Sequence, residues 1–262
     1  MKNIVLIPMG GLGNIIFQFL FVLSLSKKYS GTKLFVCYEY QDKRDNITKY
    51  KQIFENFCEF VSVSQIRNLE GPFYEYSEPV WKYHEIPDFS SCETLIVNGY
   101  FQSWKYYDDE IFKEFRKNWS TNVQKNTVCV HVRRGDYLQY QDTHPVMTED
   151  YYKRAMKEFG NRYTYLVFAE FQDDEQFRNW SVWKEYDKVE FVNESDPLKS
   201  LFKMSECEHF VIPNSTMSLC AYYMRSNEDA ILVAPGNWFG PKGPEFDIHE
   251  IIKPRNSRTL IL

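Results

Sequence analysis

The chain of 262 residues lacks both the cysteine spacing of a zinc site and a long apolar run. Its six cysteines form no C-x-x-C pair and no Cys/His cluster, which excludes the usual structural zinc centre and indicates a reduced, intracellular protein. The most apolar stretch, residues 4–25, is interrupted by Pro8 and by glycines. The part without proline or glycine, residues 15–25, is shorter than the roughly 20 apolar residues that a bilayer requires. No cleavage pattern of a signal peptide follows it. We therefore expect a cytoplasmic protein with no membrane span and no secretion signal.

An excess of positive charge is also missing. The chain has 31 Lys and Arg against 36 Asp and Glu, a formal net charge of -5. Because nucleic-acid-binding domains usually carry a basic face, this balance argues against a nucleic-acid partner and favours a small, locally held anion. The hydrophobic content of 44% is enough for a core, and the length fits one large domain or two of ordinary size.

Alternating strand and helix patterns predict an α/β fold with parallel sheets. The first part of the chain shows a strand over residues 3–7, a helix over 15–29 and a strand over 34–38. The later pattern predicts strands at 127–132, 163–168, 209–212 and 230–233, and helices at 149–159, 196–205 and 215–224. The polar stretch 118–126 is the expected join between domains 1–122 and 123–262, with a cleft between them as the default ligand site. Residues 71–91, rich in Pro, Glu, Tyr and Ser, are expected to form a loop.

The most informative segment is 128–137, in which an apolar, β-branched run leads to His131, Arg133, Arg134 and Asp136. Open α/β sheets bind ligands beyond the carboxyl ends of their strands, and guanidinium groups match the geometry of phosphate oxygens. The segment therefore predicts an anion site beside a titratable group. The alternative is a surface arginine pair at a sheet edge.

A glycine-rich loop follows the first predicted strand. Gly11 and Gly13 let the backbone approach a ligand closely, and the helix that follows would turn its first amides toward an anion or a polar substrate. The dinucleotide fingerprint is excluded because Ile16 occupies the position of its third glycine. A simple strand-to-helix turn with Asn14 as N-cap is the alternative.

A second polar segment follows the predicted strand 209–212. Asn214, Ser215, Thr216 and Ser218 offer side chains and helix-start amides to one anion, although Ser215 is equally suited to be an ordinary N-cap. The acidic runs 108–110 and 173–175 resemble solvated helix starts more than metal sites, so we expect no bound metal.

Taken together, five segments resemble one family. They are residues 10–18, 99–107, 131–137, 214–218 and 235–239. In this order they resemble the motifs of the α-1,2-fucosyltransferases of glycosyltransferase family 11. The resemblance implies a GT-B-like fold with two Rossmann-type domains. It also implies GDP-β-L-fucose as co-substrate without a further cofactor, and metal-independent, inverting transfer to the 2-hydroxyl of a galactose-type acceptor, an oligosaccharide or glycoconjugate.

The same resemblance assigns roles to individual residues. The implied donor site consists of His131, Arg133, Arg134, Asn214, Ser215, Thr216 and Ser218. Within it, Arg133 would bind the β-phosphate, and Arg134 would support the site directly or through a pair with Asp136. Asn14 and its glycine loop would lie across the cleft, near the reacting sugar. Asp136 is either the general base or the salt-bridge partner of an arginine, and His144 is a weaker candidate for the base.

Three positions depart from the family pattern. Ile15 replaces a glutamine, the pair Leu219 and Cys220 replaces two tryptophans, and residues 168–171 replace an F-S-D-D element. Glu170, in the last of these, is expected to accept hydrogen bonds from guanine. The departures leave open another nucleotide sugar or linkage, and also a non-catalytic module that binds a nucleotide sugar or a glycan.

Overall fold

The structure is a computed structural model, and it describes residues 1–39, 47–117, 122–169, 175–225, 227–245, 247–254 and 258–262. The chain divides into two compact units. The first is Met1–Asn118 with Glu250–Ile252, and the second is Trp119–His249 with Lys253–Leu262. Each unit contains one fully parallel sheet, so the predicted α/β fold is confirmed. The assignment of acceptor and donor roles to domains 1–122 and 123–262 stays a prediction.

The first unit is built on a five-stranded sheet. Its strands are β1 (Asn3–Leu6), β2 (Lys33–Cys37), β3 (Glu59–Val61), β4 (Phe73–Ser77) and β5 (Thr94–Asn98). Its helices are α1 (Leu12–Lys28), α2 (Lys51–Phe54), α3 (Val63–Arg67) and α4 (Asp109–Arg116). The strand order is β3-β2-β1-β5-β4, so the glycine loop after β1 and the segment after β5 leave neighbouring strands at the same edge.

Helix α1 is buried on almost every side, which explains its nearly continuous apolar sequence. Phe19 lies 4.8 Å from Phe54, 6.1 Å from Phe57 and 5.7 Å from Phe115 between ring centroids. The aromatic residues of this region therefore serve the core, where each large ring removes much apolar surface from water.

The prediction of a loop over residues 71–91 is wrong at one point, because β4 lies within it. Four of the five residues of β4 are exposed and only Tyr76 is buried. An edge strand of this kind carries no continuous apolar run, so its pattern resembles that of a polar loop.

The second unit is built on a six-stranded sheet. Its strands are β6 (Gln124–Val132), β7 (Thr164–Ala169), β8 (Val189–Phe191), β9 (Cys207–Val211), β10 (Leu232–Ala234) and β11 (Thr259–Ile261). The helices that accompany them are α5 (Glu149–Lys157), α6 (Glu175–Arg178), α7 (Pro197–Ser205) and α8 (Thr216–Tyr223), whereas α9 (Ile248–Ile251) begins with residues of the second unit and ends with residues of the first. The predicted series ended at the strand now labelled β10. That ending is wrong, since the short strand β11 pairs beyond it.

The strand order of the second unit is β11-β10-β9-β6-β7-β8. Numbered within the unit, this is the 3-2-1-4-5-6 order of the Rossmann fold. The chain leaves β6 toward one side of the sheet and β9 toward the other. The carboxyl ends of these two strands therefore form the switch point at which open α/β sheets bind ligands.

No helix within the described part of the chain is long and apolar enough to cross a membrane.

We predict that Phe177→Ala lowers the free energy of unfolding of the second unit by about 3–5 kcal/mol. Phe177 is fully buried, and its ring centroid lies 5.4–5.7 Å from those of Trp180, Trp183 and Phe191. Urea denaturation measures the change, with Phe73→Ala as the control because the Phe73 side chain is 46% exposed. Equal losses in the two variants would contradict the assignment of this aromatic cluster to the core.

Candidate functional site

Arg133 directly follows β6 at the switch point of the second unit. Its guanidinium Nη2 donates to Asp136 Oδ1 at 2.7 Å, and the group lies 5.0 Å from the centroid of the Tyr137 ring. A carboxylate on one side and an aromatic face on the other restrict the orientation of a long side chain that is still 24% exposed. The structure thus holds one oriented guanidinium at the position that the sequence predicted.

A short 3-10 helix, Gly135–Gln139, follows this arginine and contacts the segment after β9 through Tyr137. The Tyr137 hydroxyl donates to the backbone carbonyl of Asn214 at 3.2 Å. The same ring stacks on His144 with centroids 4.9 Å apart, and His144 lies 5.7 Å from Phe239. Burial lowers the pKa of His144, and its contacts agree with a residue that supports the loop.

Asn214 lies at the carboxyl end of β9 and is almost fully buried. Its side-chain Nδ2 donates to the carbonyl of Trp238 at 3.0 Å. Its Oδ1 is also buried, and among the described residues it has no hydrogen-bond partner. A buried amide oxygen without a protein partner is uncommon, so this atom is a candidate acceptor for a ligand group.

Helix α8 begins two residues after this asparagine, at Thr216. Ser215 occupies the N-cap position, but its hydroxyl makes no capping hydrogen bond. Its carbonyl accepts from Leu219 N at 3.1 Å and from Ser218 Oγ at 3.2 Å. The ordinary N-cap role of the Ser215 hydroxyl is therefore not what the structure shows. The first helical turn begins at Thr216, and a helix start of this kind is suited to an anion because its backbone amides point out of the helix end.

His131 lies one residue before the end of β6, and its side chain is buried. Burial lowers its pKa to about 3, with a further lowering from the nearby positive charge of Arg133. The imidazole is therefore neutral at physiological pH. Its Nδ1 is buried and has no hydrogen-bond partner within the described ranges.

Two adjacent tyrosines on α5 hold the backbone of both strand ends. The Tyr152 hydroxyl donates to the carbonyl of His131 at 3.0 Å, and the Tyr151 hydroxyl donates to the carbonyl of Ile212. These contacts satisfy buried carbonyls just where the strands end. The periodic pattern predicted a helix here, but it gave no indication that these hydroxyls support the site.

Arg134 takes a different direction from its neighbour. Its Nη2 donates to Gln176 Oε1 at 3.1 Å, and its guanidinium lies 5.6 Å from the centroid of the Trp180 ring. Both contacts lie on the segment after β7. Glu170, the expected guanine ligand on that segment, lies outside the described residues.

In the first unit, the glycine loop is held by a side chain of the helix that follows it. Gln18, fully buried in α1, accepts from Met9 N at 3.0 Å and donates to Met9 O at 2.8 Å. Helix α1 begins at Leu12 with Gly11 as its N-cap, so the alternative with Asn14 as N-cap is wrong. The helix starts earlier because Gly11 adopts the extended conformation that an N-cap requires.

Asn14 lies in the first turn of α1 and contacts the segment after β5. Its Oδ1 accepts from Gln102 Nε2 at 2.9 Å. Gly10 has φ +73°, and a Cβ there would lie 2.5 Å from Asn14 Nδ2. A glycine is thus needed at position 10 both for its backbone conformation and for the room it leaves. Gly13 is buried within the helix.

The acidic run 108–110 begins a helix, as the sequence predicted. Asp108 is the N-cap of α4 and accepts from Ile111 N at 2.9 Å. Asp173 and Asp174 lie outside the described residues. In the described ranges, no group of three or more His, Cys, Asp or Glu side chains is arranged to hold a metal ion.

Structural comparison shows what the fold resembles. A glycosyl transferase family 9 protein from Veillonella parvula superimposes with a TM-score of 0.53 and 14% identity, covering 100% of this chain and 86% of that protein. The E. coli ADP-heptose LPS heptosyltransferase II gives a TM-score of 0.54 at 10% identity, covering 100% and 90%. At these identities the likeness concerns the fold alone, and it confirms the predicted GT-B-like class.

Sequence comparison defines the family. The model of glycosyl transferase family 11 matches residues 93–245, more than half of the chain. The protein therefore belongs to glycosyltransferase family 11, which confirms the resemblance of its motifs.

Individual relatives span different shares of the chain. The O-antigen biosynthesis glycosyltransferase WbnK of E. coli is 25% identical over 88% of this chain and 93% of its own length. The α-1,2-colitosyltransferase of E. coli is 30% identical, but the alignment covers 44% of this chain and 41% of that enzyme. The mouse galactoside 2-α-L-fucosyltransferase Sec1 is 27% identical over 70% of this chain and 54% of its own. The chain thus spans about half the length or less of these last two relatives.

We predict that the His131 imidazole makes stability depend on pH. Its folded pKa of about 3 lies below the unfolded value near 6.5, so between these values the unfolded state binds the extra proton. The free energy of unfolding should therefore fall as the pH drops below about 6.5, by up to about 1.4 kcal/mol per pH unit. Urea denaturation from pH 7 to pH 4 should show a shallower slope for His131→Gln. Parallel slopes for the two proteins would contradict a buried, neutral imidazole.

Proposed function

We propose that the protein is an inverting fucosyltransferase that moves L-fucose from GDP-β-L-fucose to the 2-hydroxyl of a galactose-type acceptor without a metal ion. The observation that carries the proposal is the position of the Arg133 guanidinium, oriented by Asp136 and Tyr137 at the switch point of a Rossmann-type sheet. The start of α8 follows the neighbouring strand at the same edge. A guanidinium and a helix start are complementary to a diphosphate.

The chemistry of the transfer explains why such a site is needed. As the bond between the sugar and the diphosphate loosens, negative charge grows on the leaving group and the sugar becomes cation-like. In the proposed site, Arg133 stabilises the charge on the β-phosphate, and the hydroxyls of Ser215 and Thr216 together with the amides at the start of α8 receive the other oxygens. Ser218 supports that turn through its bond to the Ser215 carbonyl.

Neutral groups would complete the donor site. The neutral His131 imidazole lies beside the nucleotide and adds no buried positive charge. Asn214 Oδ1, which is buried without a hydrogen-bond partner among the described residues, accepts a hydrogen bond from GDP-fucose. Arg134, which follows β6 and contacts the segment after β7, supports the site, and Glu170 remains the proposed guanine ligand. The first unit carries the acceptor side, with Asn14 near the reacting sugar and Gly11 and Gly13 allowing close approach of its loop.

The names of two relatives support the linkage, and one of them supports fucose as the transferred sugar. The mouse relative is a galactoside 2-α-L-fucosyltransferase, and the E. coli relative is an α-1,2-colitosyltransferase. The second name makes transfer of colitose a second candidate function, since colitose differs from fucose by the absence of the 3-hydroxyl. A nucleotide-sugar-binding module without turnover is the non-enzymatic alternative. A cytoplasmic location stays a prediction.

The primary experiment incubates the purified protein with GDP-fucose and a panel of β-galactosides in EDTA. Release of GDP is followed, and the linkage of the product is assigned by NMR. An α-1,2-fucosylated product formed without metal is the expected result. Turnover with a colitose donor alone would transfer the assignment to the second candidate. Calorimetric binding of GDP-fucose without turnover over any acceptor would identify a binding module.

We predict that Arg133→Ala lowers turnover roughly 10²–10³-fold, because it removes a donor that strengthens its bond as charge develops. Initial rates of GDP release provide the measurement, and circular dichroism verifies the fold. Arg154→Ala is the matched control, since the Arg154 side chain is 53% exposed and pairs with Asp150 on α5. A folded Arg133 variant with full activity would exclude the proposed site.

The role of Asp136 is tested separately. Its ion pair with Arg133 favours orientation of the guanidinium over proton abstraction. Asp136→Asn keeps an oxygen that can accept from Arg133, so we predict a loss of turnover of less than about tenfold, against the 10²–10⁴-fold expected on loss of a general base. Steady-state rates with saturating acceptor distinguish the two, and a loss in the larger range would restore Asp136 as the base.

A further inference from the structure

The turn after β5 has an unusual backbone conformation. Gly99 has φ +152°, and Phe101, a bulky residue, has φ +47°. A bulky residue such as phenylalanine adopts positive φ only where its surroundings enforce it. The Phe101 ring is fully buried and stacks on Phe21 with centroids 3.8 Å apart, which holds the side chain but leaves the turn's amides to be satisfied elsewhere.

Glu78, just beyond β4, satisfies those amides. Its carboxylate Oε2 accepts from Tyr100 N at 2.8 Å and from Phe101 N at 2.9 Å. Its own backbone amide donates to Asn98 O at 2.8 Å, which fixes its position at the sheet edge. A Cβ at Gly99 would lie 2.4 Å from the Glu78 Cβ, so this close packing requires a glycine. Burial raises the pKa of this carboxyl, and the two amide bonds oppose that rise.

The residue that follows the turn reaches the glycine-loop helix. Gln102 is buried, and its Nε2 donates to Asn14 Oδ1 at 2.9 Å. A continuous series of contacts therefore runs from Glu78 through the turn 99–101 to Gln102 and Asn14.

We propose that Glu78 is a positioning residue, whose carboxylate holds the turn after β5 so that Gln102 orients the Asn14 amide. The importance of Asn14 for transfer rests on the proposed function, whereas the contacts themselves do not. A displacement of about 1 Å in a positioned group can lower turnover by as much as 10²-fold, so an indirect residue can have a large effect.

The test compares Glu78→Ala with Glu78→Gln. The glutamine keeps an oxygen that can accept from both backbone amides, whereas the alanine leaves them unsatisfied. We expect Glu78→Ala to lower kcat about tenfold to a hundredfold and Glu78→Gln to stay within about threefold of the wild type. GDP affinity, measured by calorimetry, should be unchanged in both, because the proposed diphosphate ligands belong to the second unit. Glu75→Ala, at an exposed position on β4 three residues before Glu78, is the control and should have no effect.

A double-mutant cycle shows whether Glu78 acts through Gln102. The rate losses of Glu78→Ala and Gln102→Ala should not multiply in the double variant, because both interrupt the same series of contacts. Multiplicative losses would overturn the proposal. If Glu78→Gln is folded yet as impaired as Glu78→Ala, the charge itself is required and the positioning role is wrong.

An NMR measurement makes the result independent of enzymatic activity. The side-chain amide resonances of Gln102 and Asn14 in ¹⁵N-labelled protein should shift or broaden in Glu78→Ala and stay in place in Glu78→Gln and Glu75→Ala. Should Glu78→Ala fail to fold, Glu78→Asp, which shortens the reach by one methylene, takes its place with the same expectation. Unchanged resonances in the folded variant would overturn the proposal, whereas a failure of the proposed fucosyl transfer would leave this readout intact.

Discussion

The parallel pairing of β6 with β9 is the constraint on which the candidate donor site depends. From these neighbouring strands the chain continues to opposite sides of the sheet, so their carboxyl ends stay uncovered by their own crossovers. Arg133 after one strand and Ser215 after the other are 82 positions apart in sequence, yet parallel register places them at the same edge. The parallel pairing of the two strands, and not their proximity in sequence, brings these residues to one edge.

Hydroxyl groups then hold this edge in place. Tyr151 and Tyr152 bind the last carbonyls around β9 and β6, and Tyr137 links the two following segments through the carbonyl of Asn214. Each bond satisfies a carbonyl where the sheet ladder stops, which would otherwise need water or a ligand. His131 Nδ1 and Asn214 Oδ1 are buried in this region without a hydrogen-bond partner among the residues that the structure describes, which makes both atoms informative.

The edge of the first sheet is stabilised in another way. Two glycines allow close backbone packing there, at position 10 beneath Asn14 and at position 99 against Glu78. Side-chain amides and one carboxylate connect the loops, and the Tyr107 hydroxyl donates to the carbonyls of Phe17 and Phe101. Gln18 fixes the loop before α1, and Gln102 joins the loop after β5 to Asn14. This edge carries the Asn14 amide where the edge of the second sheet carries the Arg133 guanidinium.

The sequence predicted most of the second sheet because its central strands are short apolar runs bounded by polar turns, as at residues 127–132. It did not predict β4, whose exposed residues lack that pattern, and it misplaced the start of α1 because Asn14 is a good N-cap residue two positions inside a helix capped by Gly11. The role of Glu78 could not be predicted, because its bonds are to backbone amides more than twenty positions away. The position of Arg133 directly after a strand could be predicted, because a strand end followed by a cation is a local pattern.

A crystal structure of the protein with GDP would show directly where the diphosphate binds. The β-phosphate should lie within hydrogen-bond distance of the Arg133 guanidinium and of the first amides of α8, with the ribose or base near His131. A diphosphate bound elsewhere, with Arg133 still paired only to protein groups, would contradict the assignment of the switch point between β6 and β9 as the donor site.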